Sequence, residues 1–344
     1  MSSATHRVRL AGGDVEFACP ADDTLLRAAQ RAGLGFPYEC NVGACGNCKF
    51  ELVAGQVSTA WAEAPGLSDK DRQRQRHLGC QSLPLGDCVL KLRPGERYVP
   101  PHRPLRVGAA LVGRCEITHD ISEFHFALNA PLAFEPGQYA LVQLPGVNGV
   151  RAYSMSNVAM SNTAESAGAA TWHFQVRRLP GGVGSAALFA LPVGARVQID
   201  GPYGMAWLKR DVARDILCLA GGSGLAPMLS IARAAMVEPR LAARRLHFIY
   251  GGRTAADLCG RDELAALPGW GTRLSWHGFV SQPQPADPTQ AVAFVHEAAL
   301  QLLGPQLPQM EVYFAGPPAM SAAVQRMLLD AGVAPAQQHF DAFY

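Results

Sequence analysis

The 344-residue chain is poor in charge: Asp, Glu, Lys and Arg make up 17% of it, and 30 basic against 28 acidic side chains leave only +2 at pH 7. With no excess of either sign, an activity driven mainly by nucleic-acid phosphates or anionic lipid is not expected. A long unbroken apolar run is also missing. The stretch from Ile216 to Ala232 carries no charge, but Gly221, Gly222, Ser223, Gly224 and Pro227 make it a poor membrane helix. The first residues pass directly into a polar–apolar alternation around His6 to Leu10 without the apolar core of a signal peptide, so a cytoplasmic location is expected. What the chain does have is 49% hydrophobic residues spread along its whole length, which argues against a disordered or fibrous protein. At about 150 residues per domain, the length suggests two or three folded units with separate cores.

Nine cysteines divide into two kinds. Cys19, Cys88, Cys115, Cys218 and Cys259 stand singly in apolar or mixed surroundings and read as reduced core cysteines. Cys40, Cys45 and Cys48 form C-x4-C-x2-C, with Cys80 further on, which is the spacing of a plant-type two-iron two-sulfur cluster. One short loop has to wrap a small anionic cluster with thiolates and backbone N–H groups, and Gly43 and Gly46 permit that approach. A structural zinc site would pair its ligands as two C-x2-C knuckles, and Cys80 has no such neighbour. A disulfide framework fits a cytoplasmic chain less well still.

Around this loop the pattern is that of a compact ferredoxin. Strands are expected at His6 to Leu10, Val15 to Cys19, Phe50 to Val53 and Val89 to Leu92, with a helix capped by Asp22-Asp23-Thr24 and ended by Gly33. The first domain spans residues 1–94 and carries 11 basic and 10 acidic residues, so no strong field is expected from it. Arg72, Arg74, Arg76 and His77 make either a local basic patch or an ordinary solvated face. Residues 95–104, rich in proline, read as a linker.

From 105 to 208, short apolar runs punctuated by Gly and Pro suggest a small antiparallel barrel, with strands at Gly108 to Ile117, Glu123 to Leu128 and Tyr139 to Leu144. Arg151-Ala152-Tyr153-Ser154 offers a cation for a pyrophosphate, an aromatic for a flat ring and a hydroxyl for a ring nitrogen. Gly182-Val183-Gly184-Ser185 opens a short helix whose N–H groups favour phosphate. Taken singly, each has an ordinary structural explanation as an ion pair, a core aromatic or a turn. From 209 to 344, strand and helix alternate, as in a parallel α/β domain. Asp215 to Ala220, then Gly221-Gly222-Ser223-Gly224-Leu225-Ala226-Pro227, then an apolar helix is a strand–turn–helix nucleotide site, although its glycines do not follow G-x-G-x-x-G.

In order, Arg151-x-Tyr153-Ser154, Gly182 to Ser185, Gly201-Pro202-Tyr203-Gly204, Gly221 to Pro227, Tyr250-Gly251-Gly252-Arg253 and Gly316-Pro317-Pro318-x-Met320 resemble the motifs of ferredoxin-NAD(P)+ reductase-like flavoproteins. With the cluster motif in front, the resemblance covers nearly the whole chain. It implies a β-grasp ferredoxin domain, an antiparallel β-barrel FAD domain and a parallel α/β nicotinamide-binding domain. The order of domains is similar to that of the NADH-dependent reductase components of bacterial oxygenases. Phe36-Pro37-Tyr38-Glu39-Cys40, Ala64-Pro65-Gly66-Leu67 and the ending His339-Phe340-Asp341-Ala342-Phe343-Tyr344 are similar to reductases of toluene-type multicomponent monooxygenases.

The resemblance implies that Cys40, Cys45, Cys48 and Cys80 hold the cluster. Arg151, Ala152, Tyr153 and Ser154 would bind FAD, with Gly182, Val183 and Ser185 at its diphosphate. Gly221, Gly222, Gly224, Pro227, Gly316 and Pro317 would receive NADH, with Arg253 and Asp257 near its ribose or phosphates. Phe343 or Tyr344 would cover the flavin. Many relatives carry Cys where this chain has Ala315, so a mechanism relying on that thiol is not expected, and His296 and Glu297 read as helix-surface residues. The implied activity is hydride transfer from NADH to FAD, then one-electron delivery through the cluster to an oxygenase hydroxylase component or a Rieske ferredoxin of an aromatic monooxygenase. A reductase of a ring-hydroxylating dioxygenase or deoxysugar dehydratase shares this domain order. A redox-sensing protein that reduces no partner is the non-enzyme alternative.

Overall fold

The computed structural model describes residues 4–159, 171–283 and 291–341, which build three sheets in chain order. The first is a mixed five-stranded sheet in the order Glu16–Pro20, Thr5–Leu10, Cys88–Lys91, Lys49–Ala54, Arg76–Leu78. It grips the helix Leu25–Arg31, as a β-grasp does. Thr24 caps that helix by accepting from the Arg27 amide, and Gly33 ends it at φ +80°. Three strands of this domain escaped the sequence reading. Val57–Thr59 and Ser82–Pro84 pair as a separate ribbon, and Arg76–Leu78, taken above for part of a basic patch, is the sheet's edge strand. Three of its four members are engaged internally, with Arg74 exposed: Arg72 donates to the carbonyls of Ala62, Ala64 and Leu67, Arg76 pairs with Asp71, and His77 stacks on Phe50.

The second sheet has six antiparallel strands in the order Arg151–Ser154, Tyr139–Gln143, Arg196–Tyr203, Leu105–Glu116, Ile121–Leu128, Thr171–Arg177. A bridge between Met155 and Phe174, with Ser156 N donating to the His173 carbonyl at 2.8 Å, nearly closes it into a barrel. Phe124, Phe126, Trp172 and Phe174 alternate inward to fill it. Cys115 lies on this barrel and is exposed, which corrects its assignment to the core: it sits near the end of a long strand whose last residues point to solvent. Cys19, Cys88 and Cys218 are buried and Cys259 is partly so.

The third sheet is parallel, in the order Leu274–Val280, Leu246–Gly252, Asp215–Gly221, Met310–Ala315, Gln338–Phe340. Alternate residues of its central strands face opposite cores. Cys218, Phe248 and Tyr250 pack with the helices Leu225–Val237 and Arg261–Ala265, whereas Leu217, Leu219 and Phe314 pack with Val295–Leu303 and Pro318–Asp330. The order reverses direction between Asp215–Gly221 and Met310–Ala315, so a ligand crevice lies at the carboxyl ends of these two strands. The uncharged stretch from Ile216 to Ala232 is thus a buried strand, turn and helix. Among the described residues, no helix is long and apolar enough to cross a membrane.

The units interlock. Tyr139, Leu141 and Tyr203 of the barrel belong to the same apolar cluster as the ferredoxin core. The segment between them is held as well: Gly95 N donates to the Gly35 carbonyl at 2.9 Å, and the Arg31 guanidinium reaches the Pro104 carbonyl at 3.4 Å.

Candidate functional site

The four cysteines of the spaced motif come together in two pairs. Cys48 Sγ and Cys80 Sγ are 3.4 Å apart, and the Cys45 amide donates to Cys40 Sγ at 3.3 Å. In each pair one thiol is drawn down by contact with its partner, Cys40 by Cys45 and Cys80 by Cys48, while the partner is pushed up, as two thiols sharing one charge must be. The amides of Val42, Ala44 and Cys45 also lower Cys40. No three of the four sulfurs lie within 4.8 Å of one another. A single tetrahedral ion needs all four around one point, so two pairs fit a two-iron cluster and not zinc. Backbone crowding explains the glycines. Gly43 and Gly46 have φ of +95° and +78°, and a Cβ on Gly66 would stand 2.7 Å from the Gly43 carbonyl.

The residues expected to bind the flavin share one corner of the barrel. Arg151 to Ser154 form an edge strand in register with Tyr139 to Val142. Ser154 is buried, and Tyr153 leans on Phe174 with its hydroxyl pushed up to about 12 by burial. Arg151 has no carboxylate partner among the described residues and donates only to the carbonyls of Asn148 and Val150. The helix Val183–Phe189 starts against its stem: a Cβ on Gly184 would come within 2.8 Å of Arg151 Cγ. An unpaired guanidinium lying on a glycine turn suits a diphosphate. Ser185 instead supports the turn, its Oγ donating to the Gly182 carbonyl and accepting from the Leu179 amide.

At the crevice of the parallel sheet, the Gly221–Gly224 turn presses on Ala315-Gly316. A Cβ on Gly224 would meet the Ala315 carbonyl at 2.0 Å, and Cβ atoms on Gly221 and Gly316 would meet Met320 Sδ at 2.7 and 2.6 Å. Pro227 lies in the first turn of the following helix and Pro317 caps Pro318–Asp330. Arg253 is half-exposed and lies 3.5 Å from Asp257 and 3.8 Å from Asp120. Burial pushes Asp257 up, but the Thr254 amide and hydroxyl, then Arg253 and Arg177, hold it below its usual value. Arg177 was not singled out in the sequence, yet its guanidinium joins the barrel to this crevice, 2.8 Å from Asp120 and 3.1 Å from Asp257 and beside Gly222. His296 is half-buried, and Glu297 accepts from the Phe294 amide as a helix-starting contact. Phe343 and Tyr344 lie outside the described residues.

The cysteine loop and the barrel strand paired with Arg151–Ser154 are in direct contact. Tyr139, in register with Ser154, donates its hydroxyl to the Glu39 carbonyl at 2.6 Å, one residue before Cys40. Gly204 N donates to the Tyr38 hydroxyl at 3.0 Å. Asp341, also missed, joins them from the third domain. Its carboxyl oxygens are shut from solvent without a well-formed hydrogen bond, and burial followed by the Glu39 charge pushes it up to about 7. Nothing in local sequence marks these contacts, because each partner lies a hundred residues or more away.

A β-grasp domain with two thiol pairs, a barrel with an anion cradle and a parallel sheet with a dinucleotide crevice define an iron–sulfur flavoprotein reductase. Residues 8–85 match the 2Fe-2S iron-sulfur cluster binding domain family, 108–207 the oxidoreductase FAD-binding domain and 218–326 the oxidoreductase NAD-binding domain. Over 96% of its length the chain is 38% identical to the ferredoxin–NAD(P)(+) reductase CarAd of Metapseudomonas resinovorans, spanning 98% of that protein. It is 37% identical to the ferredoxin–NAD(+) reductase component of the alkene monooxygenase system of Xanthobacter autotrophicus, over 94% of this chain and 96% of the other. Identity to the xylene/toluene monooxygenase electron transfer component XylA of Pseudomonas putida is 32%, covering 98% and 93%. The solved ferredoxin reductase of carbazole 1,9a-dioxygenase superposes with a TM-score of 0.89 at 34% identity, covering 99% of both chains. The chain belongs to the ferredoxin–NAD(P)+ reductase components of oxygenase systems, NADH-dependent oxidoreductases with FAD and a 2Fe-2S cluster.

Proposed function

We propose that this chain reduces a Rieske-type ferredoxin, or the hydroxylase itself, of an oxygenase acting on an aromatic substrate of the toluene, benzene or phenol kind. The observation that carries the internal route is the Tyr139–Glu39 hydrogen bond, which joins the strand paired with Ser154 to the residue preceding Cys40. When bound, FAD accepts the hydride of NADH and releases electrons one at a time, and the cluster stores single electrons on their way out.

The residues of the chain do the rest. Arg151 neutralises the flavin diphosphate together with the amides after Gly182, Ala152 and Tyr153 line the ring, and Ser154 offers its hydroxyl to the reactive edge. Gly221, Gly222 and Gly224 with Pro227, Gly316 and Pro317 would leave room for the nicotinamide dinucleotide, Arg253 would hold its ribose or phosphates, and Phe343 or Tyr344 would shield the flavin. Ala315 brings no thiol, so juxtaposing the two rings would supply most of the catalysis. Cys40, Cys45, Cys48 and Cys80 would hold the cluster through their two sulfur pairs. The higher identity to chains named ferredoxin reductases favours a ferredoxin as first acceptor, and use of NADH fits a cytoplasmic site of action.

Anaerobic titration with NADH tests the reading. Loss of the flavin absorbance together with a rhombic two-iron paramagnetic resonance signal is expected. Flavin bleaching without that signal would reduce the protein to a simple flavin reductase.

A further inference from the structure

The helix Leu25–Arg31 touches both ends of the internal electron route. Near its start, Leu26 N donates to the carbonyl of Gly79 at 3.0 Å, one residue before Cys80. Buried Arg27 donates to the Asn41 side-chain oxygen and to its carbonyl, both at 3.1 Å, one residue after Cys40. At the other end, Arg31 turns away from the cysteines and forks onto Asp200, each of its two terminal nitrogens 2.8 Å from one carboxylate oxygen. Its Nε donates to Asp23 at 2.9 Å.

Asp200 belongs to the barrel strand Arg196–Tyr203 and shares a rung with Leu141 and, beyond it, Ala152 of the flavin strand. The Tyr203 hydroxyl donates to it at 2.8 Å, and Arg106 Nε lies 3.8 Å away. The grip is reciprocal: Arg106 of the barrel donates to Asp23 at 3.1 Å and lies 3.5 Å from Asp22. The Asp23 and Asp200 side chains are only 4% and 7% exposed, so dissolved salt screens the pairs little. A forked arginine fixes direction as well as distance.

Electron transfer between two centres held in protein slows exponentially with their separation. A helix tied at one end to both cysteine loops and at the other to the flavin barrel therefore helps to fix that separation. The geometry points to Arg31 and Asp200 as positioning residues for the flavin-to-cluster step, acting through the helix and touching neither cofactor. This rests on the flavin and cluster assignments above, and goes beyond them in saying what sets the gap.

The test follows holoprotein variants Arg31→Ala and Asp200→Asn by anaerobic stopped flow after mixing with NADH. Flavin bleaching is expected at the wild-type rate, and the subsequent cluster reduction about tenfold or more slower. The double variant is expected to be slowed by less than the product of the two single effects, because the two residues share the forked contact. A readout independent of turnover is amide exchange at Gly204, whose N–H crosses the same seam to Tyr38; its exchange should rise about tenfold in both variants while the helices of the third domain keep theirs. If Arg31→Ala loses its cluster, Asp200→Asn, on the other domain, decides. Wild-type cluster reduction and unchanged Gly204 exchange in that variant would overturn the proposal. Absence of cluster reduction in the wild-type protein would instead overturn the cofactor reading itself.

Discussion

At the scale of single residues, chemistry is divided by side-chain type. Cys45 is the most accessible of the four paired cysteines, and its sulfur, besides facing Cys40, accepts from the Asn47 amide at 3.4 Å. Cys45→Ser should cut NADH-driven reduction of cytochrome c by about 10²-fold or more while leaving reduction of ferricyanide at the flavin, since a hydroxyl is a poor ligand for this cluster. Loss of both activities in a folded variant would contradict that division of labour. Asp341 makes a different kind of prediction. Folded, it keeps its proton to about pH 7, whereas an unfolded aspartate gives it up near 3.8. Its contribution to stability is therefore complete below 3.8 and is lost as the pH rises through 7. Thermal unfolding of Asp341→Asn should show the wild type losing ~2 kcal/mol relative to the variant between about pH 5 and pH 8. A constant difference across that range would mean that the carboxyl is already ionised in the folded protein.

At the scale of elements, close backbone approach decides where ligands fit. Gly224 ends the turn after Asp215–Gly221, and the carbonyl of Ala315 occupies the space a side chain would need. Gly224→Ala should force the two strand ends apart, costing about 1–3 kcal/mol of stability. The KM for NADH should rise about tenfold while FAD content and the cluster spectrum stay unchanged. An unaltered KM would place the dinucleotide elsewhere. The helix Leu25–Arg31 shows how much an element's ends matter. Its Thr24 cap and Gly33 stop are local and were visible in the sequence, whereas the partners of Arg27 and Arg31, Asn41 and Asp200, are set by packing.

At the scale of the molecule, the three cores are not independent. Leu141 is a barrel residue with no exposed surface, yet it packs into the ferredoxin core. Leu141→Ala should cost about 2–5 kcal/mol and speed loss of iron from a cluster held by a different domain, measured by visible absorbance during heating. Cluster retention equal to the wild type would show that the two units melt separately. The periodicities, the C-x4-C-x2-C spacing and the glycine turns by themselves determined three domains of the right classes in the right order, because each depends on neighbours within a few residues. The short strands Val57–Thr59, Ser82–Pro84 and Gln338–Phe340 were not legible, being too brief to carry a period and existing only through their partners. Nor could local pattern reveal that Cys115 faces solvent, that Arg177 meets Asp257 or that Asp341 closes against Glu39. Tertiary structure alone decided which thiols pair and how the cluster domain is held against the flavin barrel. The first depends on Cys48 meeting Cys80 across 32 positions and the second on contacts such as Arg31 with Asp200, 169 positions apart, and packing, not the local spacing of either partner, sets both.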